Sequence, residues 1–141
     1  MKKIFNYCKT HQDLLLDYGD NMSSEVPPQV QNQIAQLQQV QQQLQAMVSQ
    51  KAQVEMILRD VEEALNELES LPDDSVVYKG VGEILVKTKK EMAKEELEEK
   101  KETFQVRLKS LDKQIERLQT RFKQLQEQIR NVLGPMGPQA Q

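Results

Sequence analysis

Two heptad repeats of nearly equal length, separated by a short stretch of different character, limit what this chain can fold into. From Val30 to Leu68 the a and d positions are Val30, Gln33, Leu37, Val40, Leu44, Met47, Lys51, Val54, Leu58, Val61, Leu65 and Leu68, and ten of these twelve are apolar. A second register runs through Leu97, Lys101, Phe104, Leu108, Leu111, Ile115, Leu118, Phe122, Leu125, Ile129 and Val132, with ten of eleven apolar. Apolar residues recurring every 3.5 positions over that distance specify coiled-coil helices. Between the two runs lies Ser75 to Lys87, SVVYKGVGEILVK, the one stretch that reads as a β-hairpin.

Local signals set the boundaries. Pro27-Pro28 suits a helix start, where a missing N–H costs nothing, and Pro72-Asp73-Asp74 ends that helix. Val76-Val77-Tyr78 and Ile84-Leu85-Val86 are strand-forming, and Gly80-Val81-Gly82 between them supplies the positive φ of a tight reversal. Thr88-Lys89-Lys90-Glu91 has the form of a capping box that opens the second helix. Gly134-Pro135 closes it. The expected elements are a helix over 26–70, a hairpin over 75–87 and a helix over 89–133. At a rise of about 1.5 Å per residue each helix is roughly 65 Å long. Folding back at the hairpin sets side by side positions whose numbers add to about 159, with Leu37 near Phe122 and Leu44 near Ile115. The fold class is mainly α: a long antiparallel coiled-coil hairpin interrupted by one β-hairpin.

Composition supports an elongated helical design over a compact core. Among 141 residues there is no Trp, 29% are charged, and twelve Gln fall between positions 29 and 53. Such a Gln-rich tract has the composition of an aggregation-prone segment, but the unbroken apolar register makes it the solvated face of a coiled coil. A net charge of -3 gives no general attraction for nucleic acid, and the helices lack a basic block. No apolar run approaches the ~20 residues of a membrane span. One Cys, Cys8, cannot form an intrachain disulfide, in keeping with a reducing, cytoplasmic compartment. His11 lies three residues from Cys8, too few ligands for a metal centre. The chain has no phosphate-binding loop and no nucleophile–base set, so no enzyme activity, cofactor or metal is expected.

Each end of this design needs a role. Alternation puts Val76 and Tyr78 on one face of the hairpin and Val77 on the other, while Ile84 and Val86 oppose Leu85. A two-stranded hairpin is marginal alone in water, and open apolar edges are an aggregation hazard. Val76, Val77, Tyr78, Ile84, Leu85 and Val86 are therefore expected to join hairpins of other chains in an oligomer. At the other end, Val26, Val30, Ile34 and Leu37 approach Phe122, Leu125, Ile129, Val132 and Leu133. Ile34 and Leu133 fall outside the seam register and stay partly exposed. This apolar end is either the finish of the coiled coil or a binding surface. Val48, Met56, Ile57 and Val106 are also off the seam, with no role assigned.

Helix, single β-hairpin, helix, with VVYKGVGEILVK at the turn and PPQVQNQIAQLQQVQQQLQ early in the first helix, resembles the prefoldin family, specifically its β-type subunits. The likeness covers about residues 24 to 133, within a domain assigned to 22–133. It implies a heterohexamer of two α-type and four β-type subunits, with the hairpins assembled into a β-barrel platform. It further implies an ATP-independent holdase of the cytoplasm, which captures unfolded proteins at its coiled-coil tips and passes them to a group II chaperonin. The client-binding residues would be Val26, Val30, Ile34, Leu37, Phe122, Leu125, Ile129, Val132 and Leu133. The competing reading is a structural coiled-coil scaffold with a fixed docking tip. Residues 1–21 depart from the family pattern and read as an unstructured or locally helical extension, or as a stretch outside the native protein with translation starting at Met22, since Gly19-Asp20 codons are compatible with a ribosome-binding sequence. Residues 134–141 read as a disordered tail.

Overall fold

The computed structural model describes residues 26–134. The expectations for residues 1–21, for Cys8 and His11 among them, and for 135–141 lie outside the described residues. Helix α1 spans Pro28–Ser70, strand β1 Val76–Val81, strand β2 Ile84–Lys89 and helix α2 Lys90–Leu133. The strands pair antiparallel as a two-stranded sheet. Two compact units divide the chain, the first built from residues up to 49 and from 113 onward, the second from residues 50–112.

The start of α1 follows from its two prolines. Pro28 occupies the first helical position, and the Pro27 carbonyl accepts from the N–H groups of Val30 at 3.0 Å and Gln31 at 3.1 Å. At the other end the Leu71 N–H donates to the Leu68 carbonyl at 3.2 Å, tightening the last turn before Pro72 prevents continuation. The Ser75 N–H then closes a turn onto the Pro72 carbonyl at 3.1 Å. No basic residue of α1 itself lies in its last turn. Lys90, the first residue of α2, supplies that cation: its Nζ donates to the Leu71 carbonyl at 2.7 Å and to Asp73 Oδ1 at 3.2 Å.

The hairpin turn is shorter than Gly80-Val81-Gly82. Val81 pairs with Ile84 and Gly80 with Leu85, so both belong to the ladder and only Gly82-Glu83 is loop. Gly82 has φ of 61° and no non-glycine residue among those described has positive φ, which makes this a type II′ reversal needing glycine only at its first central position. A second difference concerns Thr88. It pairs with Val77, and β2 continues through Lys89 directly into α2. Thr88 is thus a ladder residue and does not stand as the cap of a capping box.

Every seam position expected in α1 is buried or half-buried, Gln33 and Lys51 included. In α2 the same holds from Leu97 to Ile129 and fails at Val132, which is 44% exposed, while Leu133 packs on the core. A helix of 3.6 residues per turn drifts from a 3.5-residue repeat, so a four-residue step follows Ile129 where the heptad calls for three.

Candidate functional site

The first unit has a dry seam. Val30, Leu37, Val40, Leu44, Ile115, Phe122, Leu125 and Ile129 form one buried apolar cluster, with Val26, Ile34, Met47, Val48, Leu118 and Leu133 packed against it. The five largest fully buried side chains, Phe122, Leu37, Leu44, Leu125 and Val30, all belong to it. Burial of this kind stabilises by ~1.5–3 kcal/mol per side chain. No charged residue occurs between Glu25 and Lys51, so α1 offers α2 no ionic partner in this unit. A polar contact crosses the seam where Arg121 Nη2 donates to Gln36 Oε1 at 3.3 Å.

This burial places the nine candidate client-binding residues. Val30, Leu37, Phe122, Leu125 and Ile129 are inside the seam; Val26, Ile34 and Leu133 are half-buried; Val132 alone is exposed. Ile34 and Leu133, both off the counted register, are half-buried, Leu133 because the drift after Ile129 turns it toward the core. The closed helix pair therefore presents a rim of apolar groups and conceals the rest. Polar groups are concealed as well: Gln41 is 5% exposed and Gln33 is half-buried. Gln33 Oε1 is buried and has no hydrogen-bond partner, an arrangement that costs about 1–3 kcal/mol.

The second unit adds charge to an apolar seam in which Val54, Leu58, Val61 and Leu68 of α1 and Ala93 and Leu111 of α2 are buried. It carries all six ion pairs among the described residues. Four of them hold one register: Lys51–Asp112 at 2.6 Å, Glu62–Lys101 at 3.3 Å, Glu69–Lys94 at 3.1 Å and Asp73–Lys90 at 3.2 Å. Each step forward from one pair to the next on the α1 side is matched by an equal step back along α2. The two seam lysines, Lys51 and Lys101, are both half-buried with their ammonium groups on acids of the facing helix. Asp112 hydrogen-bonds Lys51 and raises its pKa above the usual lysine value, Glu55 adding to the effect against partial burial. Glu69 does the same for Lys94.

The hairpin belongs to this unit. Of the eleven exposed large apolar side chains among the described residues, six are Val76, Tyr78, Val81, Ile84, Leu85 and Val86, with Leu85 at 75%. Paired residues of an antiparallel ladder share a face, so Val76, Tyr78 and Leu85 lie on one side and Val77, Val81, Ile84 and Val86 on the other. The Val77 side meets the helices, where Lys79 Nζ donates to both carboxylate oxygens of Glu96, at 2.7 and 3.0 Å. Leu68, Leu71, Val77 and Leu97 line an open groove there. Of the six expected assembly residues, five are exposed and Val77 is half-buried. Val81, also exposed, was missed because its glycine neighbours gave it to the turn; the alternation from Val77 through Lys79 could have found it. Among the other off-seam residues, Met56 and Val106 are exposed at 58% and 68%, and Val48 and Ile57 are half-buried.

Among the described residues no helix is long and apolar enough to cross a membrane, and no group of three or more His, Cys, Asp or Glu could hold a metal ion. The family model described as prefoldin subunit matches residues 31–135. The prefoldin subunit beta of Archaeoglobus fulgidus is 57% identical over 111 residues, which cover 79% of this chain and 96% of that one. That of Methanosarcina acetivorans is 58% identical over 114 residues, covering 81% and 97%. The crystal structure of the prefoldin beta subunit from Thermococcus strain KS-1 superposes with a TM-score of 0.73 at 50% identity, covering 77% of this chain and 96% of that one. A helix pair joined through a single hairpin, a heptad seam along both helices and these likenesses agree: the chain belongs to the prefoldin family, with the archaeal β-type chaperone subunits.

Proposed function

We propose that this chain is the β-type arm of a prefoldin hexamer, two α-type with four β-type subunits, working in the cytoplasm as an ATP-independent holdase. Assembly is the task of the hairpin, whose six exposed apolar side chains and open strand edges need partners; hairpins of several chains would close into a β-barrel platform. Capture is the task of the first unit. Its rim of Val26, Ile34, Val132 and Leu133 makes the initial contact, and parting of the helices adds Val30, Leu37, Phe122, Leu125 and Ile129. The observation that carries this reading is a large apolar lining held shut without a single ion pair across the seam. Several arms on one platform multiply weak individual contacts through effective concentration. Handover to a group II chaperonin is the family's next step and is part of the proposal.

The test is aggregation of a chemically unfolded, unrelated protein, followed by light scattering with and without the complex formed with an α-type subunit, in the absence of ATP. Suppression at about one complex per client is the expected result. Unchanged aggregation would leave the alternative, a scaffold with a fixed docking tip.

A further inference from the structure

Gln33 occupies a seam position between Val30, fully buried, and Leu37, 1% exposed, both part of the cluster that includes Leu125 and Ile129. Its Oε1 is out of reach of solvent and accepts no hydrogen bond. Turning the amide over would set Nε2, a donor, in that apolar lining in place of Oε1. An amide at one core position of a coiled coil lowers stability in return for control of the pairing. Here the amide has no partner across the seam, so it fixes no register; its effect is to weaken the closed pair where the lining is most apolar. An unfolded chain brings what the closed seam lacks. Its backbone N–H groups are donors, and its side chains replace the apolar contacts given up when the helices part.

We infer that Gln33 is the polar anchor of the capture site, destabilising the closed helix pair and accepting a hydrogen bond from the backbone of a captured peptide. The ligand class is an extended, unfolded segment, held by one backbone contact that is indifferent to sequence and by apolar contacts beside it. The inference rests on the proposed capture role of the first unit and adds to it the residue that balances open against closed.

The experiment uses the full complex with its α-type partner and compares Gln33→Leu with Gln38→Leu, which places the same side chain on an exposed position. Hydrogen exchange without client reads the closed pair: Gln33→Leu should slow exchange over residues 30–37 and 122–133 by about tenfold, and Gln38→Leu should leave it unchanged. Affinity for an unfolded, carboxymethylated protein should fall by about tenfold in Gln33→Leu and stay level in Gln38→Leu. Unchanged exchange in Gln33→Leu overturns the destabilising role. Slowed exchange with undiminished capture overturns the anchor role. The proposed function fails by a different sign, wild-type complex that binds no unfolded protein, while the exchange result needs no client.

Discussion

The two units solve the same problem, holding α1 against α2, by different means. The first excludes water: its five largest buried side chains are essentially inaccessible and its α1 strand of the seam carries no charge. The second is wetter. On α2 it fully buries only Ala93 and Leu111, leaves Leu97, Phe104 and Leu108 half-buried, and adds four ion pairs in constant register. Exposed ion pairs contribute little stability, but wrong registers would set like charges together. The second unit is thus specified by charge and the first by apolar packing. Opening the first seam exposes an apolar lining that no ion pair holds shut, whereas the apolar seam of the second is tied by ion pairs as well. That difference suits capture in the first unit and a fixed frame for the hairpin in the second.

The comparison is broken most severely at the hairpin. Replacing Ile84 and Leu85 by Asp removes two of its most exposed apolar groups, 63% and 75% accessible, and should reduce the mass measured by light scattering from hexamer to free subunits while the helical circular dichroism persists. Next in size is the first unit's core. Phe122→Ala should cost about 3–5 kcal/mol, read as loss of hydrogen-exchange protection over residues 30–44 and 115–129, with assembly intact. Ile34→Ser with Leu133→Ser touches only the rim; the double variant should weaken client capture by about 30-fold, since each rim contact is worth roughly 1 kcal/mol, and should leave the hexamer's mass unchanged.

The smallest effects fall on the ion pairs. Lys51→Leu places an apolar group at a seam position and leaves a half-exposed Asp112 behind, so thermal stability should change by less than about 1 kcal/mol. Lysines whose pKa is raised on folding contribute stability that is complete below their unfolded value and lost as pH rises through the folded one. The melting temperature should therefore show no lysine-linked change between about pH 7 and 9 and decline only above the usual lysine pKa of ~10.4.

Much of this molecule was legible because a coiled coil writes its contacts into its period. All twelve α1 seam positions were found by counting, and on α2 the count failed only at Val132, where drift between 3.6 and 3.5 residues per turn had accumulated. The hairpin was legible from its β-branched runs. Its turn was misjudged because two glycines stood close together and only Gly82 has the positive φ that needs one. Thr88 looked like a cap because spacing alone cannot show that a strand runs straight into a helix. The candidate client-binding residues were legible as apolar and not as buried: a register names the residues that face one another, but whether that face is shut depends on packing. Gln33 was legible as a polar residue at a seam position, but the count could not show that its Oε1 is buried without a partner.

The division of labour between the units is tested most directly by hydrogen exchange on the assembled complex, with and without an unfolded client. The account predicts that bound client changes exchange over residues 26–37 and 122–133 and leaves residues 76–89 of the hairpin unaltered. Client-dependent protection centred on the hairpin, with the first unit unchanged, would contradict it.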